Sequence, residues 1–146
     1  MVELKHEIII DSPPEKVWKI LADLEAVRHY NPTVLTARYI STNREGVGAS
    51  RECEVKPKGR VKERVTEWVP MQSMSMELYE SDWPVRNLRW TTRLAPVGSG
   101  TRIAQTLQYQ PKGLAGTVLS LLIMKRKMGK SIGEVFQCLK LYAEKT

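Results

Sequence analysis

From Gly116 to Lys145 the chain has no proline, and Val118, Leu121, Leu122, Met128, Ile132, Val135, Phe136 and Leu139 recur mostly at three- and four-residue intervals. That spacing predicts one long amphipathic helix with a single apolar stripe. Most of the chain before it reads as short alternating strands. A lone amphipathic helix following antiparallel strands must bury its stripe against one face of their sheet, so the strands are expected to curve around it. Such an arrangement can enclose a cavity, and the rest of the sequence bears on what that cavity would hold.

Val2 to Asp11 alternates, with Val2, Leu4, Ile8 and Ile10 on one face together with His6, and charged residues on the other. Ser12-Pro13-Pro14-Glu15 has the composition of a capping box, with Pro13 suited to the first helical position. The helix it opens is expected to run through Val17, Trp18, Ile20 and Leu21 to about Asp23. A second short helix, Leu24 to Tyr30, stops before Asn31-Pro32, because proline disfavours the helical conformation in the residue before it. Strands are then expected at Thr33–Thr42, Ala49–Lys56, Arg60–Trp68, Ser73–Tyr79, Val85–Leu94 and Thr101–Gln110, separated by glycine- and proline-bearing turns. Pro111-Lys112-Gly113 leads into the final helix.

The 146 residues suffice for one domain spanning 1–146, and no repeat or low-complexity linker marks a second. No apolar run approaches the roughly 20 residues needed to span a bilayer; the longest is Val118 to Met124. The opening residues lack the pattern of a secretory signal, which makes a cytoplasmic location the expectation. Cys53 and Cys138 are far apart without metal-type spacing, so two free thiols are expected. The formal net charge is +7, and its one dense cluster, Lys125, Arg126, Lys127 and Lys130, lies on the long helix. A solvated helix face explains that cluster most simply; an anionic membrane or an acidic partner is the functional alternative, with nucleic acid disfavoured.

Ile10-Asp11-Ser12-Pro13-Pro14-Glu15-Lys16-Val17-Trp18, followed by Leu21-Ala22-Asp23, resembles the strand end, helix cap, Val-Trp core pair and closing aspartate of the SRPBCC superfamily. Tyr30-Asn31-Pro32, Gly46-Val47-Gly48 with Arg51, Glu63-Arg64-Val65 before Glu67-Trp68, and Gly98-Ser99-Gly100-Thr101-Arg102 resemble later joints of the same superfamily, in order along the whole chain. It includes START lipid-transfer domains, birch-pollen-allergen-type proteins and the polyketide cyclase/dehydrase-like subgroup, to which this chain is most similar. The resemblance implies an α+β helix-grip fold: a seven-stranded antiparallel sheet curved around the C-terminal helix, two short helices after strand 1, and a cavity between sheet and helix for an apolar or amphipathic ligand.

No metal site or dedicated catalytic constellation is spelled out. His6 and His29 are the only histidines, and no helical pair or Cys/His cluster accompanies them. His6 reads as a hydrogen-bonded core or cavity residue and His29 as a surface residue. The glycine pairs lie in hairpin turns, the serines form no nucleophile elbow, and neither cysteine has a neighbouring base. No cofactor is expected. Polar residues on apolar strand faces are more informative. Arg51 shares a face with Cys53 and Val55, and Glu63 with Val61 and Val65. They could pair on the outer, solvated face, which is the simpler reading. Pointing inward, they would need each other or a ligand anion, since isolated burial of a charge costs several kcal/mol. A one-residue bulge decides between the two. Gly129 and Gly133 weaken the long helix and suggest a bend, room beside a ligand, or close packing on the sheet.

The leading expectation is therefore a noncatalytic protein that binds or transports a hydrophobic small molecule, such as a lipid, isoprenoid quinone or polyketide-like aromatic. Its candidate contacts are Tyr30 and Pro32 near the second helix, Arg51, Cys53 and Glu63 on the polar strands, and Met74, Met76, Leu88, Trp90, Leu107 and Tyr109 on the later ones. Val118, Leu122, Met128 and Ile132 would complete them from the helix; methionine and aromatic residues suit a pliable apolar pocket. The alternative is a cyclase/dehydratase-type lyase, for which Arg51, Glu63, His6, Tyr39 and Tyr109 are the candidate acid–base groups. A third reading makes the basic helix a docking element for an anionic membrane or acidic partner.

Overall fold

The computed structural model describes residues 1–111 and 118–146. Strand β1 (Val2–Ile10) is followed by helix α1 (Pro14–Ala22), a 3-10 helix (Leu24–His29), and strands β2 (Val34–Tyr39), β3 (Ser50–Val55), β4 (Arg60–Val69), β5 (Ser73–Ser81), β6 (Val85–Val97) and β7 (Gly100–Pro111). Helix α2 (Val118–Lys145) closes the chain. The expected start of this helix at Gly116 and Thr117 lies outside the described residues. All strands are antiparallel in one sheet of order β1-β7-β6-β5-β4-β3-β2, so β1 returns to pair with the last strand while β2 forms the opposite edge. This is the helix-grip arrangement. Among the described residues, no helix is long and apolar enough to cross a membrane. Both cysteines are free thiols.

Alternation determines the two sheet faces. Cys53, Val61, Val65, Met74, Met76, Leu94 and Ile103 point inward and are buried, against Phe136, Leu139 and Ala143 of α2. The outer face carries cross-strand ion pairs such as Lys62–Glu80 at 2.8 Å and Arg102–Glu7 at 3.1 Å. Bulges curl the sheet. One falls between Val65 and Glu67, and the skipped Thr66 switches parity so that Trp68 turns inward to meet Trp18 edge-on at 5.2 Å.

Several joints differ from expectation. Ser12 does not cap α1; Pro13 occupies that position, without a side-chain cap, and Pro14 opens the helix. The Ser12 hydroxyl instead donates to Ala143 O at 3.1 Å, while Thr101 Oγ1 donates to Ser12 O at 2.8 Å. The Asp11 amide donates to Glu144 Oε2 at 2.8 Å. The motif after β1 thus bolts the strand to the C-terminal end of α2 and to the start of β7. Gly100 is required at this junction, since a Cβ there would lie 2.6 Å from Ile10 O. Asp23 caps the 3-10 helix by accepting from the Glu25 amide at 3.1 Å.

Helix α2 is buried unevenly. Its C-terminal half carries the expected stripe, but Val118 and Leu122 are 74% and 58% exposed, as are Leu119 and Ile123 at 66% and 48%. The three- and four-residue spacing continues through these turns, yet these side chains stay exposed. Gly129 and Gly133 do not mediate close helix–sheet packing either: a Cβ at either position would meet nothing within 4 Å.

Candidate functional site

Between the inner sheet face and α2 lies a pocket of about 620 Å³, within the roughly 300–1,000 Å³ range of small-molecule sites. Met74 and Met76 from β5, Leu88 and Trp90 from β6, and Leu107 from β7 form its sheet wall, with Met128 and Ile132 on the helix side. Tyr30, which ends the 3-10 helix, and Arg51, Cys53 and Glu63 from β3 and β4 close one end.

That end holds the polar chemistry. Arg51 and Glu63 are register partners on β3 and β4, and both point inward, contrary to the simpler expectation of an outer-face pair. A bulge between β4 and β5 falls between Lys62 and Glu63, but on β4 itself Val61, Glu63 and Val65 keep one parity. Arg51 Nε donates to Glu63 Oε1 at 2.8 Å, and Nη1 donates to Leu24 O at 3.1 Å. The carbonyl comes from the first turn of the 3-10 helix, which is why that helix belongs to the site. Burial works against the Arg51 charge, but the Glu63 carboxylate and its hydrogen bond, together with Cys53 and Tyr30, outweigh it and hold the guanidinium above its ordinary pKa. Burial pushes the Tyr30 phenol up, with the Arg51 charge and a hydrogen bond from Arg51 acting in the opposite direction. The Cys53 thiol is pushed up to about 11, chiefly by burial. This end therefore presents the Arg51–Glu63 ion pair and, at neutral pH, a neutral phenol and a neutral thiol.

The remaining candidates lie elsewhere. Pro32 is exposed and outside the pocket lining, as are Val118 and Leu122. His6 is half-buried with its ring edge-on to Phe136 at 6.2 Å, outside the lining. His29 is exposed, as expected, and stacks on Tyr142 at 5.3 Å. The Tyr39 hydroxyl accepts from the Leu24 amide at 3.0 Å, which ties β2 to the 3-10 helix and commits this phenol to the fold. Tyr109 is fully buried beside Leu88 and Leu107, behind the pocket wall. Among the described residues, no group of His, Cys, Asp and Glu could hold a metal ion.

Sequence reasoning missed a second polar spot, where Gln105 Nε2 donates to Thr92 Oγ1 at 3.3 Å in the pocket wall. The signal was available: Thr92 stands between Trp90 and Leu94, and Gln105 between Ile103 and Leu107, each at an apolar parity. Trp83 was also missed, because Trp83-Pro84 reads as turn chemistry while its indole lines the pocket from the β5–β6 connection.

Solved structures share this arrangement. TTHA0849 from Thermus thermophilus superposes with a TM-score of 0.83 at 23% identity, covering 97% of both chains. Ara h 8.0201 gives 0.75 at 14% identity over 99% of both chains. XoxI from Bacillus cereus gives 0.78 at 12% identity, over 97% of this chain and 95% of its own. At these identities the likeness is one of fold. No curated protein sequence matches the chain. The model of a family described as polyketide cyclase / dehydrase and lipid transport, within the SRPBCC superfamily, matches residues 1–144, and with this fold and pocket the chain belongs to that family.

Proposed function

We propose that the protein holds a hydrophobic small molecule bearing one oxygen-rich polar end, with its apolar body against the methionine and aromatic wall and its polar end at Arg51. The observation that carries this reading is a 620 Å³ pocket that is apolar over most of its lining and ends at a buried arginine. A guanidinium has more N–H donors than Glu63 and Leu24 use, and in a low-dielectric pocket such a donor favours a carboxylate, phenolate or carbonyl oxygen. Thr92 and Gln105 supply a second, neutral contact for a hydroxyl or carbonyl along the ligand. A lipid, quinone or polyketide-like aromatic has this chemistry, and the family description names both lipid transport and polyketide chemistry.

Holding is favoured over proton transfer by the state of the polar end. Glu63, the carboxylate lining the pocket, is committed to Arg51, and Tyr30 and Cys53 stay protonated at neutral pH. The test is native mass spectrometry of gently purified protein with organic extraction, alongside titration with the fluorescent probe 1-anilinonaphthalene-8-sulfonate. Binding is expected, and Met76→Trp, which fills the pocket, should abolish it while circular dichroism stays native. A folded protein that carries no extractable molecule and does not bind the probe would overturn the proposal.

A further inference from the structure

We infer that the first turns of α2 form an insertion element for an anionic lipid bilayer. This goes beyond the pocket's contents and stands independently of what the pocket holds. The helix is apolar on both sides at its start. Leu121 and Met124 are half-buried, whereas Val118, Leu119, Leu122 and Ile123 are each between 48% and 74% exposed. Large side chains exposed together over two turns are unlike isolated surface leucines, and such a patch marks an interaction surface.

The charge that follows identifies the partner. Lys125, Arg126 and Lys127 are consecutive, so they project from the helix in directions roughly 100° apart, and Lys130 adds a fourth cation one turn later. All four are exposed. They form a collar around the helix rather than a stripe along it. No acidic residue occurs between Val118 and Gly133 to neutralise them. An apolar tip about 8 Å long at roughly 1.5 Å per residue, ringed by cations, matches the boundary between acyl chains and anionic headgroups. A helix adapted to lie flat would carry its cations on one face only; here they surround it, which suits oblique entry by the tip. An acidic protein or RNA would engage the collar but leave Leu119, Leu122 and Ile123 in water. The same turns contribute Met124, Lys127 and Met128 to the pocket wall, so docking would bring this end of the pocket to the bilayer.

Flotation of the whole protein with vesicles tests the inference, using phosphatidylcholine alone and equal parts phosphatidylcholine and phosphatidylglycerol, at low and high salt. Association with the anionic vesicles and its weakening by salt are expected. Lys125→Gln/Arg126→Gln/Lys130→Gln removes three cations, each worth about a factor of five near a charged surface, so binding should fall on the order of a hundredfold. Leu119→Ser/Leu122→Ser/Ile123→Ser should reduce it at least as far. Both variants alter exposed residues outside the pocket lining, so native circular dichroism and unchanged probe binding are expected. Wild-type protein that floats no better with anionic than with neutral vesicles overturns the inference. So does flotation that survives both triple substitutions, or a dimer in solution that the serine variant converts to monomer. Loss of probe binding with retained flotation would instead overturn the pocket reading alone.

Discussion

Arg51 and Glu63 stand directly opposite each other on β3 and β4, with Nε and Oε1 2.8 Å apart and both residues buried. Their pairing gives the pocket a charged end without leaving a lone charge in the core, and the Leu24 carbonyl fixes the guanidinium from a third element. Burying two charges is costly, so the pair itself contributes little net stability; removing one partner exposes the full desolvation cost of the other.

Arg51→Met alone is therefore expected to lower unfolding stability by about 3–5 kcal/mol. Glu63→Leu alone should cost a similar amount. The double variant, which leaves no unpaired charge, should recover most of the loss. Urea denaturation of the four proteins gives the coupling directly, and additive losses would show that the two side chains act independently.

Cys53 titrates in the opposite regime. Its folded pKa of about 11 lies above the ordinary thiol value of 9.0, so the fold favours the neutral thiol. The stabilising contribution is complete below the ordinary value and is lost as pH rises through about 11. Stability should thus decline across that window less steeply in Cys53→Ala than in the parent protein. Because the thiolate is the reactive form, iodoacetamide at about pH 8 should label Cys138 well before Cys53. Equal labelling rates by peptide mapping would contradict the burial of Cys53 in the folded state.

The elements of this fold were readable because each rests on local chemistry: alternation for the strands, Asn31-Pro32 for the end of the 3-10 helix, and a long three- and four-residue period for α2. The orientation of Arg51 and Glu63 was not readable. Inner and outer pairing use the same cross-strand register, and the choice depends on which face of each strand meets the helix. Ser12 was misjudged for a related reason. Its capping pattern is local, but Ala143, more than a hundred residues away, offers its hydroxyl a buried acceptor. For Val118 and Leu122, periodicity predicted a buried stripe, but spacing along a helix carries no information on how much of that stripe finds a partner to cover it.

Tyr109 and Tyr39 form a contrasting pair. The Tyr109 hydroxyl is buried with no hydrogen-bond partner among the described residues, whereas that of Tyr39 accepts from the Leu24 amide. An unsatisfied buried hydroxyl costs about 1–3 kcal/mol, and a satisfied one contributes about 1 kcal/mol. Tyr109→Phe should accordingly raise stability by about 1 kcal/mol and Tyr39→Phe should lower it by about as much. Thermal and urea denaturation check both, and a destabilising Tyr109→Phe would mean that this hydroxyl has a partner after all.

Gly129 and Gly133 sit in the middle of α2 with open space where a Cβ would stand, and neither has a positive φ. Glycine in a helix interior is less favourable than alanine by roughly 0.8–1.0 kcal/mol, because it loses more backbone freedom on folding. With no neighbour to clash, Gly129→Ala and Gly133→Ala should each stabilise the protein by up to about 1 kcal/mol, additively if the helix keeps its path. The opposite result would identify a different role. If α2 must flex at these residues to admit a ligand into the pocket, the double alanine variant should be more stable yet load 1-anilinonaphthalene-8-sulfonate more slowly. Stopped-flow fluorescence separates the outcomes: unchanged loading assigns the glycines no part in ligand entry, and slowed loading at higher stability makes them the hinge through which α2 opens.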